Sequence, residues 1–370
     1  MFIGVPKETK THEYRVGLTP ASVRELIMRG HQVMVQKRAG FEIDLSDNKY
    51  EAVGAEIVET AEEIFARAEL IVKVKELQKS ELAMLRAGQV LFAYLHLAPD
   101  PAQAKELIDS DCVAIAYETV TGAQGGLPLL VPMSEVAGRM SIQAGANALE
   151  MNQGGRGVLL AGVPGVPAAR VVIIGGGVVG TNAARMAMGM EAHVTVLDQS
   201  LHRLQELDLQ FGSKLNTVFA TMDALEEYVP TADLVIGAVL TPGAAAPKLV
   251  NREMIGGMRR GSVLVDVAID QGGCFATSQP TTLADPIYTV DGVVHYCVSN
   301  MPGAVARTAT FALNNVTLPF VLALADKGYK KALLDDVHLR NGLNVCRGQL
   351  THAAVAHDLG LPYVAAIDAL

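Results

Sequence analysis

Four polar residues stand where α/β proteins place their chemistry. Lys75 ends Leu70-Ile71-Val72-Lys73-Val74-Lys75, His96 ends Leu91-Phe92-Ala93-Tyr94-Leu95-His96, and Asp270 follows Val263-Leu264-Val265-Asp266-Val267-Ala268-Ile269. Open parallel sheets bind ligands beyond the carboxyl ends of their strands, which makes these three candidates for binding and proton transfer. Arg15 lies in the loop after the first apolar run, and its planar fork suits a carboxylate. Each has a plainer alternative. Lys73 and Lys75 alternate with valines, as on the polar face of an edge strand, and His96 sits between two leucines, as a buried histidine bonded to backbone would. Asp270 could cap the turn before Gly272-Gly273, and Arg15 could be an ordinary surface charge.

A second constellation is a nucleotide fingerprint. The β-branched run Val171-Val172-Ile173-Ile174 feeds Gly175-x-Gly177-x-x-Gly180, after which Val179, Ala183, Met186 and Met190 recur at helical spacing. Gly175 permits the turn, Gly177 lets the backbone approach a pyrophosphate, and Gly180 lets helix and strand pack closely. The helix start adds N–H groups and a positive dipole end. Asp198 lies 18 residues past Gly180, where an acid can accept both ribose hydroxyls and repel a 2′-phosphate. NAD is thereby favoured over NADP. Arg203, five residues further on, is the one nearby group that could serve a 2′-phosphate.

These residues need two sheets to hold them. Runs at 2–5, 32–35, 70–74, 90–95 and 112–116 read as strands, alternating with helical patterns at 20–29, 61–68, 80–86 and 101–110. Thr19-Pro20 and Gly30 supply the start and stop signals of the first helix. Glycine-rich patches near 121–126 and 152–157 flank a helical segment, 134–151. Six more strands, near 170–174, 193–197, 217–220, 234–238, 262–267 and 293–298, make a doubly wound sheet. A long helix at 308–325 follows, and the tail from 333 carries helical patterns with too few strands for a third domain. The expected fold is α/β with two doubly wound domains: a Rossmann NAD-binding domain over 131–305, and a discontinuous parallel-sheet substrate domain over 1–130 and 306–370.

The totals narrow the function. A chain of 370 residues, half of them hydrophobic, with 5% aromatic residues and no Trp, suits an aliphatic α/β protein of two domains better than an aromatic-rich binding surface. The net charge of −9 disfavours nucleic acid or an anionic membrane as partner. Cys112, Cys274, Cys297 and Cys346 are scattered and read as reduced core thiols. With no signal-like N-terminus and no uninterrupted apolar run of about 18 residues, a cytoplasmic location is expected.

Together the blocks resemble the alanine dehydrogenase and pyridine nucleotide transhydrogenase family over nearly the whole chain. They are Gly4-Val5-Pro6-Lys7-Glu8, Glu13, Arg15-Val16, Thr19-Pro20, Val72 to Glu76, Tyr94-Leu95-His96-Leu97, the glycine fingerprint, Asp266 to Gly273 and Val298 to Gly303. The resemblance implies reversible oxidative deamination of L-alanine to pyruvate and ammonia by NAD, in a homohexamer. It implies substrate binding by Arg15, Lys75 and Met133, and proton handling by His96 and Asp270. Its NAD-contacting positions match Ser134, Val178, Val179, Asp198, Arg203, Val239, Leu240, Val267, Ala268, Ile269, Asp270, Val298, Ser299, Asn300 and Met301. Some positions depart from the pattern. His12 and Gly17 stand where Asn and Ala are usual, and Ala220 and Gln279 replace polar or basic nucleotide contacts. Ala323 and Lys327 replace an acid and a histidine around magnesium, so no metal is expected. The segment Pro132 to Gly138 lacks the Arg and Gln of the transhydrogenase branch, which favours the dehydrogenase.

Overall fold

Fifteen short strands carry the fold in a computed structural model that describes residues 1–239 and 246–370. In chain order they are β1 (Phe2–Val5), β2 (Gln32–Gln36), β3 (Glu56–Val58), β4 (Leu70–Val72), β5 (Val90–Ala93) and β6 (Val113–Ala116). Then come β7 (Arg170–Ile174), β8 (His193–Asp198), β9 (Leu215–Phe219), β10 (Leu234–Gly237), β11 (Val263–Asp266), β12 (Ile287–Val290) and β13 (Val293–Tyr296). The last two are β14 (Leu343–Cys346) and β15 (Gln349–Leu350). Contacts divide the chain into two units, Met1–Met133 with Val305–Leu370, and Ser134–Ala304.

The first unit holds a sheet of order β15-β14-β6-β5-β4-β1-β2-β3. Strands β1 to β6 pair in parallel, while β14 is antiparallel to both β6 and β15. Every residue of β4, β5 and β6 is buried, the pattern of strands covered on both faces. The helix Pro20–Met28 starts as its sequence dictates: Thr19 Oγ1 accepts from Ser22 N, proline occupies the first turn, and Gly30 at φ 84° follows the end. The helix Ala306–Lys327 packs in the same unit, with Asn314 Oδ1 accepting from Thr19 N at 2.8 Å and Thr310 Oγ1 from Val16 N at 3.4 Å. The stretch Met301–Lys327 has the length and composition of a membrane span, and 44% of its most apolar window is buried within the protein.

The second unit holds a sheet of order β12-β13-β11-β10-β7-β8-β9, parallel except for β12. It therefore has seven strands where the sequence suggested six. The extra strand is a hairpin partner: Val290 pairs with Val293 across Asp291-Gly292, whose φ values of 52° and 81° are those of a type I′ turn. A second such turn, Arg347-Gly348 at φ 46° and 78°, joins β14 to β15. These two strands lie in the tail, where the sequence suggested helical patterns and too few strands for a third domain, and they add an antiparallel edge to the parallel sheet of the first unit. Strand β3 was also absent from the sequence reading, being only three residues long.

Candidate active site

Each unit's sheet reverses its winding direction at one point of its own, and that unit's candidate residues follow the strands around it. In the first unit β1 and β4 are neighbours from which the chain winds outward in opposite directions. The loop after β1 carries Glu8, Glu13 and Arg15, the loop after β4 carries Lys73 and Lys75, and His96 follows β5. Such a reversal opens a crevice at the carboxyl ends of the strands.

Arg15 is not a surface charge. It is buried with Glu13, donating from Nε at 2.6 Å and from Nη2 at 2.5 Å to the two carboxylate oxygens. Burial works against its charge, but Glu13 more than offsets this and raises the arginine's pKa. Its Nη1 lies 3.2 Å from Met133 Sδ, so two proposed substrate residues meet.

Lys73 and Lys75 do not form the polar face of an edge strand, because β4 is central and ends at Val72. Lys73 is fully buried, with Nζ 3.0 Å from Glu8 Oε2 and 2.8 Å from Glu81 Oε1. Glu8 Oε1 accepts the backbone N–H of Val74 at 2.7 Å and of Lys75 at 3.3 Å. Lys75 itself is half-buried beside Glu76.

His96 is exposed, which removes the buried-histidine alternative. Its ring stacks on Tyr94, 5.9 Å between centroids and 12° between planes, and its φ is 50°. Glu118 Oε1 accepts His96 N at 2.6 Å. Histidine is among the residues found more often than most in the left-handed region, and His12 at φ 59° also occupies it, where the family usually has Asn.

In the second unit β7 and β10 are the neighbours at the reversal, and the glycine turn follows β7. Gly175 has φ 101°, and a Cβ there would lie 2.6 Å from Ala238 O. At Gly180 a Cβ would lie 1.8 Å from Gly175 O, whereas at Gly177 it would meet nothing within 4 Å. Gly175 and Gly180 are thus required by the protein's own packing, and Gly177 presents open backbone at the start of the helix Val178–Gly189. Asp198, half-buried at the end of β8, accepts Gly176 N and Ser200 N, each at 2.7 Å. Arg203 donates from Nε to Gly176 O at 2.6 Å, from Nη2 to Thr181 Oγ1 at 2.5 Å and from Nη1 to Glu206. Its guanidinium braces the glycine loop.

The remaining nucleotide candidates extend along the same sheet edge. Val239 follows β10, Val267 to Asp270 follow β11, and Val298 to Met301 follow β13. Leu240 lies outside the described residues. The side chains of Ala268, Ile269, Val298 and Met301 are buried, so what they can offer a ligand is backbone. Val178, Ser299 and Asp270 are exposed, while Ser134, Val179 and Asn300 are half-buried.

Asp270 sits in the 3-10 turn Val267–Gln271, which ends at Gly272 in the left-handed conformation. Buried Asp266 starts that turn and closes the loop behind it. Its oxygens accept Ala268 N at 3.1 Å, Cys274 N at 2.9 Å and Ser278 Oγ at 2.5 Å. Burial pushes the Asp266 pKa up against these bonds, which lower it.

Sequence reasoning gave no role to Glu8, Glu13, Glu118 or Asp266. Three of them stand in motif blocks, whereas the only signal for Glu118 is that it is an acid two residues past β6. All of them partner the backbone or side chain of a candidate residue or its neighbours.

Comparison with known proteins matches both units to one family. Residues 4–137 match the family described as alanine dehydrogenase/PNT, N-terminal domain, and residues 141–353 match its C-terminal domain. An alanine dehydrogenase of Halomonas elongata is 62% identical over 366 residues, covering 99% of each chain. A solved L-alanine dehydrogenase superposes with a TM-score of 0.95 at 50% identity, over 97% of this chain and 99% of its own. A solved transhydrogenase from Sinorhizobium meliloti, at 24% identity and TM-score 0.83 over 96% of this chain and 100% of its own, shares the fold.

Proposed function

The chain belongs to the alanine dehydrogenase/PNT family, and from that premise we propose that it catalyses the reversible, NAD-dependent oxidative deamination of L-alanine to pyruvate and ammonia. The observation that carries this reading beyond membership is the gathering of Arg15, Met133, Lys75 and His96 in the unit whose sheet reverses between β1 and β4.

Arg15 and Lys75 bind the substrate carboxylate, and Met133 packs against the small remainder of the molecule. Held charge pairs also fix the orientation of Cα, which lowers the entropic part of the barrier. NAD fits the second unit on two observations: open backbone at Gly177 beginning a helix, and Asp198 at the end of the adjacent strand. Ser134, Asp198 and the backbone after β11 and β13 would hold it, and when bound it supplies the acceptor for the hydride leaving Cα. Because Arg203 is spent on Gly176, Thr181 and Glu206, it supports NAD over NADP. The amine loses a proton as Cα is oxidised to the imine. His96 then acts as general base on the attacking water, assisted by Asp270, and the carbinolamine collapses to ammonia and pyruvate. Assembly as a homohexamer and a cytoplasmic location complete the proposal. Sedimentation is expected to give six chains.

The test is NADH absorbance after adding protein to pyruvate and ammonium, with NADPH and an ammonium-free mixture as controls. Ammonium-dependent loss of NADH is expected. Loss without ammonium would instead make the protein a 2-hydroxy-acid dehydrogenase.

A further inference from the structure

His96 occupies an unfavourable backbone conformation, and one carboxylate holds it there. The residue follows β5 at φ 50°, a region in which the Cβ of an L-residue crowds the following carbonyl. Glu118 lies on the neighbouring strand's exit, in the 3-10 turn Tyr117–Thr119 after β6, and β5 and β6 pair in parallel up to Ala93 and Ala116. Its carboxylate takes two consecutive N–H groups. Leu95 N donates to Oε1 at 3.1 Å and Oε2 at 3.2 Å, and His96 N donates to Oε1 at 2.6 Å.

The turn that carries Glu118 is itself fixed. Tyr117 is fully buried and meets Phe92 and Tyr94 edge-on, at 4.4 and 5.1 Å between centroids. Asn344 Nδ2 of β14 donates to Thr119 Oγ1 at 2.7 Å. Tyr94, which stacks on the His96 ring, is anchored by its hydroxyl to Leu129 O at 2.6 Å. A rigid acceptor thus faces the peptide groups on either side of Leu95, and ionised acceptors make the stronger hydrogen bonds.

We propose that Glu118 is a positioning residue for the His96 imidazole, its carboxylate setting the backbone at 95–96 and thereby the direction in which the ring leaves the end of β5. The inference rests on the acid–base role given to His96 above. Without Glu118 the peptide relaxes toward extended geometry and turns the imidazole off its stack on Tyr94. The turnover step then suffers, while the nucleotide residues of the second unit are untouched.

The experiment is a double-mutant cycle on the full chain, with kcat and KM for alanine and NADH affinity by fluorescence. Glu118→Ala is expected to lower kcat roughly 10- to 100-fold and to change NADH affinity less than about threefold. Glu118→Gln is expected between wild type and Ala, since its amide oxygen can still accept His96 N–H. It also carries the test if the alanine variant does not fold. The combination Glu118→Ala/His96→Ala is expected to fall no lower than His96→Ala alone, because both remove the same imidazole from action. Independent, multiplying losses would overturn the proposal, as would a Glu118→Ala or Glu118→Gln enzyme with wild-type kcat beside a disabled His96→Ala. Full turnover by His96→Ala would overturn the acid–base reading itself, and this inference with it.

Discussion

Lys73 and Lys75 are two residues apart and have different tasks, which alternation with valine could not separate. Lys73 is buried between Glu8 and Glu81, and Lys75 is half-buried beyond it. Removing one member of a buried charged group leaves the others uncompensated, and this costs far more than the net value of the pairing. Lys73→Met is therefore expected to lose about 3–5 kcal/mol in urea unfolding; a loss under about 1 kcal/mol would mean that the acids re-solvate or neutralise. Lys75, His96 and Asp270 stood out as candidates because each is polar where an apolar run stops, and Arg15 because its planar fork lies in the loop after the first run. Glu8 and Glu118 were not, since a carboxylate reaching remote backbone N–H groups leaves no spacing in the sequence. The resemblance supplied what spacing could not, and even so said nothing of Glu118.

Among the elements, the glycine turn separates structural from ligand-facing roles. A Cβ at Gly180 meets the turn's own carbonyl, and one at Gly177 meets open space. Gly180→Ala is expected to lower both melting temperature and NADH affinity, whereas Gly177→Ala should keep its melting temperature and lose NADH affinity alone. Equal melting temperatures for the two would show that the turn adapts. The contact between the helices Pro20–Met28 and Ala306–Lys327 gives a pH dependence. Asp326 accepts from His31 at 2.8 Å and Arg29 at 2.6 Å, and these partners, His31 foremost, hold its pKa below the usual aspartate value of 3.8. A lowered carboxyl pKa stabilises the fold above the unfolded value, and this contribution is lost as pH falls through the folded one. Asp326→Asn should thus lower the melting temperature slightly at pH 6, and its difference from wild type should shrink as the pH is lowered below the usual aspartate range. Strands β12 and β15 were legible in principle: Asp-Gly between Val290 and Val293 is a strong hairpin signal, and Arg-Gly is a weaker one. Strand β3, three residues in a half-exposed stretch, offers no period to read.

At the scale of the molecule, the first unit is built from both ends of the chain and the second from one continuous segment. Strand β14 covers the edge of β6 and adds β15 beyond it. A chain ending before residue 343 should expose the β6 edge, whose unpaired N–H and C=O groups are a template for association. Light scattering on such a truncation is expected to show aggregates, and a clean, cooperative species would mean that the edge protects itself. The same arrangement imposes an order on biogenesis. Ser134–Ala304 can close its sheet before Val305–Leu370 is made, whereas residues 1–133 must wait for that later segment, so the part of the first unit that is synthesised before the second unit matures after it.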